Sequence, residues 1–258
     1  MKYSFVLAFA FSVSLANAQP PATPAEAKPF IPEGYEVLDY QTGDLNGDKK
    51  TDAILVLKIS GEDSITEETP NRPMLLLIRQ ANGKLKKALQ NDRAIMCRQC
   101  GGSFGDPYEA VSIKNNSLTL TFYGGSSWRW AYRYDFVYRP ATKNWYLIKE
   151  TQTNFHAGDP EATTKTAEIS EAEAGIMPLE KFDYEAGYEE SSWKVKAAKT
   201  FFYDSPKLGT KPRKAYLLKG NMAGGVRQLK NFIEISYDDG KGNFTSGYIL
   251  RKDLEPVK

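Results

Sequence analysis

The residues best suited to chemistry lie in the segment GDLNGDKKTDAILVL, near the start of the chain. Asp44, Asn46 and Asp48 are spaced two residues apart, and Lys50 and Asp52 continue that spacing. In a tight turn, this alternation directs side-chain and main-chain oxygens to one side, as a calcium ion with six or more oxygen ligands requires. The segment therefore predicts a weak calcium site with a structural role.

Two features restrict this interpretation. The twelfth position of the loop is Leu55 instead of the bidentate Glu of an EF-hand, and an apolar strand follows instead of a helix. Lys49 stands at position six, where glycine usually supplies a positive φ, and a side chain there costs about 1 kcal/mol. The alternative is a metal-free turn whose Asp and Asn side chains accept backbone N–H groups. The residues alone leave both interpretations open.

The chain has two cysteines, Cys97 and Cys100, in the segment MCRQCGG. In an oxidising compartment this spacing favours a short-loop structural disulfide. A redox-active pair would follow a strand and open a helix, whereas the residues here continue as GGSFGDP, which is typical of a loop. A redox pair, free thiols and metal-bound thiols are the alternatives to the structural disulfide.

The segment WRWAYRYDFVY places an aromatic residue at every second position, and strand geometry puts all of these rings on one face. The six residues are Trp128, Trp130, Tyr132, Tyr134, Phe136 and Tyr138. We expect a core face of a sheet. Six rings exceed what one core usually needs, so the ends of the row are expected to emerge. Trp128 and Trp130 are therefore candidates for stacking on a sugar or peptide.

Catalytic residues are poorly represented. His156 is the single histidine, which argues against a zinc site of the usual composition. A Ser-His-Asp triad would depend on His156 alone, and no G-x-S-x-G elbow, which joins a strand to a helix, accompanies it. Asp106 and Glu109 are the candidates for a carboxylate-dependent hydrolase, which is the least supported alternative. The sequence predicts that the protein is not an enzyme.

Residues 1–18 have the pattern of a secretory signal peptide, with an early lysine, an apolar run and the cleavage signal Ala-Asn-Ala. We expect a soluble mature protein in a bacterial periplasm or outside the cell, with no membrane anchor after cleavage. The formal net charge of +2 gives no reason to expect nucleic acid as a partner.

Short apolar or alternating runs separated by turn signals predict an all-β fold with minor α content, built as an antiparallel sheet or meander domain followed by a smaller unit. We divide the chain into a Pro/Ala-rich, extended or disordered linker at 19–32, a β domain at 33–158, a linker at 159–193 and a second β unit at 194–258. The second linker is expected to dock partly on its neighbours and to hold a short helix that opens at Pro178. The predicted strands of the first domain are 53–59, 73–79, 110–114, 118–124, 128–139 and 145–153.

The second β unit resembles a bacterial Src homology 3-like domain. The segments that carry the resemblance are TFFYDSP, AYLLKG, FIEISY and the closing GYILRKDL, while NMAGGVRQLK departs from the family pattern. The resemblance implies a small β-barrel that binds cell-wall peptides or other exported proteins. It also makes Tyr203, Tyr237 and Tyr248 candidates to line a groove, and the alternative for each tyrosine is a position in the core or at its rim.

The Asp-rich loop resembles the strand-associated calcium loop of FG-GAP and integrin-type repeats. The order of segments is also similar to a group of exported bacterial proteins that join PEGYEVLD and GDLNGD to CxxCGGxFGDP, to YGGSxWRW and to a barrel. That similarity implies no known activity.

From these features we expect an exported, non-enzymatic binding or scaffold protein of the bacterial envelope. Its expected partner is the peptide of peptidoglycan, bound through residues 194–258. The alternative is an inhibitor or partner of another envelope protein, which would use the Trp128 strand.

Overall fold

The structure is a computed structural model that describes residues 24–67, 69–185 and 191–257. The expected signal peptide lies outside the described residues. Within them the chain forms sixteen β-strands, paired antiparallel in every sheet, and two four-residue α-helices. The prediction of an all-β fold is confirmed.

The strands are β1 (Tyr35–Gly43), β2 (Asp52–Ile59), β3 (Arg72–Arg79), β4 (Leu85–Ile95), β5 (Tyr108–Lys114), β6 (Ser117–Gly125), β7 (Trp128–Arg139), β8 (Asn144–His156), β9 (Lys165–Ser170), β10 (Ser191–Val195), β11 (Lys199–Phe201), β12 (Tyr216–Leu218), β13 (Met222–Gln228), β14 (Phe232–Asp238), β15 (Phe244–Leu250) and β16 (Leu254–Pro256). The helices are α1 (Pro160–Thr163) and α2 (Glu171–Ala174). The 3-10 turns are Lys28–Phe30, Glu62–Ser64, Arg98–Gly101, Leu179–Lys181 and Arg251–Asp253.

Two sheets in sequence order make up the N-terminal unit. The first has the order β1-β2-β3-β4 and the second has the order β5-β6-β7-β8-β9. Residues from both sheets share one buried core, including Ile54 and Leu76 from the first and Leu120 and Phe136 from the second. Burying one face of each sheet against the other is the main apolar contact of this unit.

The other face of the first sheet is also apolar, because β2 is a continuous apolar run instead of an alternating one. Leu55, Leu57 and Leu77 on that face are buried together with Ala27, which precedes the sheet in the chain. Within the linker predicted at 19–32, which we expected to be extended or disordered, residues 24–32 include a 3-10 turn and fold over this face as a strap. The reason is physical: an uncovered face of this size would expose apolar surface to water.

In the C-terminal unit, the sheet order is β15-β14-β13-β10-β16, and β11 pairs separately with β12. A single bridge, Tyr203 to Tyr248, joins the end of β11 to β15. Within the described residues these sheets do not close into a barrel, so the closed barrel expected from the resemblance is not observed. The segment NMAGGVRQLK, whose pairing the resemblance left undefined, forms the central strand β13.

In the stretch at 159–193, predicted to be a linker that docks partly on its neighbours, the described residues contribute strands to both units. β9 pairs with β8 over Lys149–Asn154 and completes the second sheet. The predicted short helix after Pro178 is a 3-10 turn whose Leu179 is buried in the N-terminal core. β10 belongs to the C-terminal sheet. The polar, alanine-rich composition concealed these elements because half of the β9 residues are exposed and only Ile169 is buried.

The two units meet through a small apolar cluster and an ion pair. Ile169 of β9 is buried with Leu229, Phe232 and Tyr248 of the C-terminal unit. Beside them the carboxylate of Glu150 binds the guanidinium of Arg227. Among the described residues, no helix is long and apolar enough to cross a membrane.

Candidate binding site

The C-terminal unit contains a pocket of about 590 Å³ beside Tyr203, which we call the Tyr203 pocket. Its lining residues are Tyr203, Leu208, Gly209, Lys230, Asn231, Phe232, Leu250, Arg251 and Lys252. The volume falls within the range of small-molecule and peptide side-chain sites.

Backbone pairing between strands assembles the floor of this pocket. Phe232 opens β14 opposite Leu250, the last residue of β15. Tyr203 exchanges two backbone hydrogen bonds with Tyr248, at 2.8 and 3.0 Å, and its ring packs edge-on against Phe232 at 5.4 Å. The floor is therefore aromatic and aliphatic, and it is held by hydrogen bonds that do not depend on a ligand.

The rim of the pocket is basic. Lys230, Arg251 and Lys252 are all exposed, and none of the lining residues is acidic. The N–H of Arg251 donates to the carbonyl of Asn231 at 2.9 Å, which holds the two lining segments together. An apolar floor with three cations at its edge suits a ligand that carries an apolar group and a carboxylate or phosphate.

The three tyrosines predicted to share a groove lie in different environments. Tyr203 lines the pocket, as expected. Tyr248 is buried at the junction of the two units, and burial raises the pKa of its phenol. Tyr237 packs against the core of the C-terminal unit and is not among the pocket-lining residues. The groove that the resemblance implied therefore contains one of the three.

The Asp-rich loop connects β1 to β2, and its aspartates accept backbone N–H groups. Asp44 accepts from Asn46, Gly47 and Lys49, and the buried carboxylate of Asp52 accepts from Leu45 and Arg79. The side chain of Asn46 accepts the N–H of Asp48 at 2.9 Å. These bonds are those of the predicted metal-free turn.

The same loop brings three carboxylates together. One oxygen from each of Asp44, Asp48 and Asp52 lies within 4.8 Å of the others. Lys49 has a φ of 65°, the left-handed conformation expected at position six. The ammonium of Lys50 binds the carboxylate of Asp48 at 3.0 Å, next to these oxygens. Calcium at this loop stays a prediction.

Electrostatics differ among these carboxylates. Burial raises the pKa of Asp52, and the nearby Asp48 and Asp44 act in the same direction. The backbone N–H of Lys50 lowers the pKa of Asp48, and its ammonium adds to that effect. Asp48 is therefore kept ionised more readily than Asp52, whose carboxylate is buried in the fold.

The loop also has a structural position that the sequence did not reveal. The indole N–H of Trp145 donates to the carbonyl of Leu45 at 2.8 Å, and the N–H of Asn116 donates to that of Asp44 at 3.1 Å. Both donors belong to the second sheet or its turns. The Asp-rich loop thus fixes the first sheet against the second.

The aromatic strand β7 runs from solvent into the core. Phe136 and Tyr134 are buried, Trp130 and Tyr132 are half-buried and stacked at 4.8 Å, and Trp128 is 59% exposed. The expected emergence of the row is confirmed at its Trp128 end. Trp128 is the exposed member of the two candidate tryptophans.

Trp130 packs closely over Gly124 on β6. A Cβ added at that glycine would lie 2.4 Å from the ring of Trp130. The glycine before the aromatic strand therefore makes room for the indole, which explains why the GGSS segment lies where it does. Trp128 contacts the ring of His156 edge-on at 5.2 Å.

Cys97 and Cys100 lie at disulfide distance, with Cα atoms 5.2 Å apart, in the 3-10 turn after β4. Cys97 is buried. The sulfur of Cys100 lies 3.5 Å from the hydroxyl of Tyr184, which ties this turn to the segment after the Leu179 turn. This position fits the predicted structural role.

Asp106, a candidate for hydrolytic chemistry, binds Arg72 through two hydrogen bonds of 2.8 and 2.6 Å. The same guanidinium binds the buried carboxylate of Glu62, at 2.7 Å from Nη2. Glu109 is exposed on β5, and Nδ1 of His156 accepts the N–H of Gly158. Asp106 thus serves an ion-pair network that anchors the segment between β2 and β3.

Comparison of the chain with protein-family models, with curated proteins and with solved structures finds no match. The architecture alone therefore defines the class of protein. It is an all-β protein of antiparallel sheets, with a pocket that has an apolar floor and a basic rim.

Proposed function

We propose that this chain is an exported, non-enzymatic binding protein of the bacterial envelope, and that the Tyr203 pocket holds a short anionic peptide such as that of peptidoglycan. The observation that carries the proposal is the combination of an apolar floor, Tyr203 and Phe232, with a rim of Lys230, Arg251 and Lys252. Cell-wall peptides combine small apolar side chains with free carboxylates, which are the groups that such a pocket can bind. Export rests on the signal-like residues 1–18.

A variant pair separates pocket binding from general attraction to a basic surface. Lys230→Gln with Lys252→Gln removes two rim charges, while Lys211→Gln with Lys241→Gln removes two exposed charges elsewhere in the same unit. We expect the first pair to weaken binding of soluble cell-wall peptides about tenfold or more and the second to leave it unchanged. Titration calorimetry with free-acid and amidated peptides measures this.

Amidation of the peptide carboxylates is expected to reduce binding as strongly as the rim variant does, because it removes the same charge pairing. Equal affinity for free and amidated peptides, or no retention on purified sacculi, would contradict the proposal.

A second candidate, the inhibitor or partner of another envelope protein, is favoured by the exposed Trp128 beside His156. Large exposed aromatics are enriched at the centres of protein interfaces. Capture of one protein from envelope extract by the native chain, with loss of that capture in Trp128→Ser, is the result expected of this candidate. Retention on sacculi that survives Trp128→Ser favours the peptide.

Calcium at the Asp-rich loop is part of this proposal, as a weak structural ion held by Asp44, Asp48 and Asp52. Its support is the close approach of three carboxylate oxygens. At about 100 times its dissociation constant, calcium would add about 2.7 kcal/mol to the free energy of unfolding. Asp48→Asn should abolish that gain, and melts without any shift in millimolar calcium would leave the metal-free turn.

A further inference from the structure

The near-neutral charge of the chain conceals a segregation between its two units. Residues 191–258 contain 14 lysines and arginines against six acidic residues, a net charge of +8. Because the whole chain carries +2, residues 1–190 carry −6. A segment with this density of cations attracts polyanions and anionic surfaces at moderate salt.

One exposed face of the C-terminal unit combines this charge with apolar side chains. We call it the β11–β12 face and define it by Lys199, Phe201, Lys214, Tyr216 and Leu218. The register places Lys199 opposite Leu218 and Phe201 opposite Tyr216. Tyr216 and Leu218 are 49% and 50% exposed, whereas Leu217 between them is buried. The alternation thus directs apolar groups to solvent.

The cations of this face are available to a partner. The ammonium of Lys199 lies 3.7 Å from the ring centroid of Tyr216 and 4.9 Å from that of Phe201. Lys214, two residues before Tyr216, is exposed, and neither lysine forms an ion pair with a described residue. Lysines that flank an aromatic and an aliphatic side chain are typical of surfaces that rest at a bilayer interface, where the stems lie along apolar groups and the heads reach phosphates.

The small size of the β11–β12 face favours a lipid bilayer over a protein as its partner. Two half-exposed apolar side chains, Tyr216 and Leu218, and the less exposed Phe201 are far fewer than the 20 to 30 residues, or about 800 Å², that each side of a specific protein interface usually contributes. A bilayer requires less, because a few inserted side chains act together with several cations near anionic headgroups.

We propose that the β11–β12 face docks on an anionic phospholipid bilayer, with Tyr216 and Leu218 entering the headgroup region and Lys199 and Lys214 pairing with lipid phosphates. The acidic N-terminal unit would be repelled by the same surface, so the charge segregation also orients the protein. This surface is separate from the residues that line the Tyr203 pocket.

Flotation of the full chain with vesicles tests the proposal. One preparation is phosphatidylcholine alone and the other is phosphatidylcholine mixed equally with phosphatidylglycerol. We expect binding to the anionic vesicles only, weakening as salt rises from low to physiological concentration because exposed charges are then screened. Absence of binding, or equal binding to both vesicles, would overturn the proposal.

Two variants and a matched control locate the contact. Tyr216→Ser with Leu218→Ser should weaken vesicle binding about tenfold, and Lys199→Gln with Lys214→Gln about tenfold or more. The control, Lys241→Gln with Phe244→Ser, removes one cation and one apolar side chain that is 74% exposed, at the β14–β15 hairpin where Phe244 pairs with Asp238. It should bind as the native chain does.

Each variant alters solvent-exposed residues, so native melting temperatures are expected and serve as the folding check. Equal losses in the control and in the Tyr216 and Leu218 variant would overturn the assignment to this face. A concentration-dependent dimer in light scattering, lost in the same variants, would assign the face to a second copy and also overturn it. So would preferential binding to single-stranded nucleic acid.

Discussion

Arg227 and Glu150 face each other across the junction of the two units, with the two Nη atoms of the guanidinium each 2.6 Å from a different carboxylate oxygen. Glu150 is fully buried, and Gln152 donates a further hydrogen bond to it. The pair is therefore a charge-assisted, bidentate contact between sheets that are distant in sequence.

Removal of one partner should destabilise the protein strongly. Glu150→Gln or Arg227→Gln leaves an uncompensated charge in a buried site, which costs about 3–5 kcal/mol. Glu168→Gln breaks the exposed pair with Lys149 and should cost about 1 kcal/mol at most. Urea unfolding measures all three. A loss at Glu150 no larger than that at Glu168 would show that the junction does not depend on this pair.

Glu234 should make stability depend on pH. It stands opposite Arg227 on one side and Tyr248 on the other, and its Oε2 is buried without a hydrogen bond. Burial raises the pKa of Glu234 above its ordinary value of 4.5, opposed by Arg227 and assisted by Glu150.

The raised pKa of Glu234 determines whether stability rises or falls with pH. The folded state holds the proton of Glu234 more tightly than the unfolded state does. The stability that this proton contributes is therefore complete below pH 4.5 and is lost as pH rises through the pKa of Glu234 in the folded state. Glu234→Gln removes the titration and should raise the melting temperature relative to the native chain at pH 8 but not at pH 4. The exposed Glu255→Gln is the control. Parallel pH profiles for the native chain and Glu234→Gln would refute the expectation.

Lys49 provides a test of backbone strain in the Asp-rich loop. Its φ of 65° disfavours any side chain, whereas Lys50 is not in this conformation. Both Lys49→Gly and Lys50→Gly increase the freedom of the unfolded chain, but only the first relieves strain. Lys49→Gly should be more stable than Lys50→Gly by about 1 kcal/mol. Chemical denaturation without calcium decides this, and equal values would mean that the loop bears no such strain.

The N-terminal strap should be required to cover the first sheet. Ala27 is fully buried against its outer face, and Glu26 binds Arg79 and the hydroxyl of Tyr40. Ala27→Asp places a charge in this contact and should detach the strap, lowering stability by about 2 kcal/mol or more. Lys28→Asp, at an exposed position, is the control.

Dye binding provides an independent reading of the same change. Ala27→Asp should bind a hydrophobic dye at temperatures where the native chain does not, because Leu55 and Leu77 then meet water. A variant with native stability and no dye binding would show that the strap is dispensable.

Many of the strands could be predicted from the local sequence pattern. The six strands predicted in the first domain all occur, because period-two alternation and β-branched or aromatic residues specify a strand without reference to neighbours. β1 and β4 were missed because charged residues occupy their exposed faces. β13 was missed because its two glycines weaken the strand signal.

The candidate sites also differ in how far the sequence could predict them. Asp44, Asp48 and Asp52 are close in sequence, so their meeting in one loop was predictable. The Tyr203 pocket was predictable only for Tyr203 itself, because its other lining residues come from the ends of separate strands. The net charge of the whole chain concealed the basic unit, which a count over residues 191–258 would have found.

The sequence by itself determined the all-β class, the Asp-rich turn and the disulfide-spaced cysteines, because each depends on residues only a few positions apart. Only the tertiary structure decided that the strap covers β2, that Glu150 meets Arg227 and that β11 and β12 expose an apolar face. The physical reason is that such contacts depend on which faces meet once the backbone hydrogen bonds are satisfied. Many arrangements of the same strands would satisfy those bonds equally well.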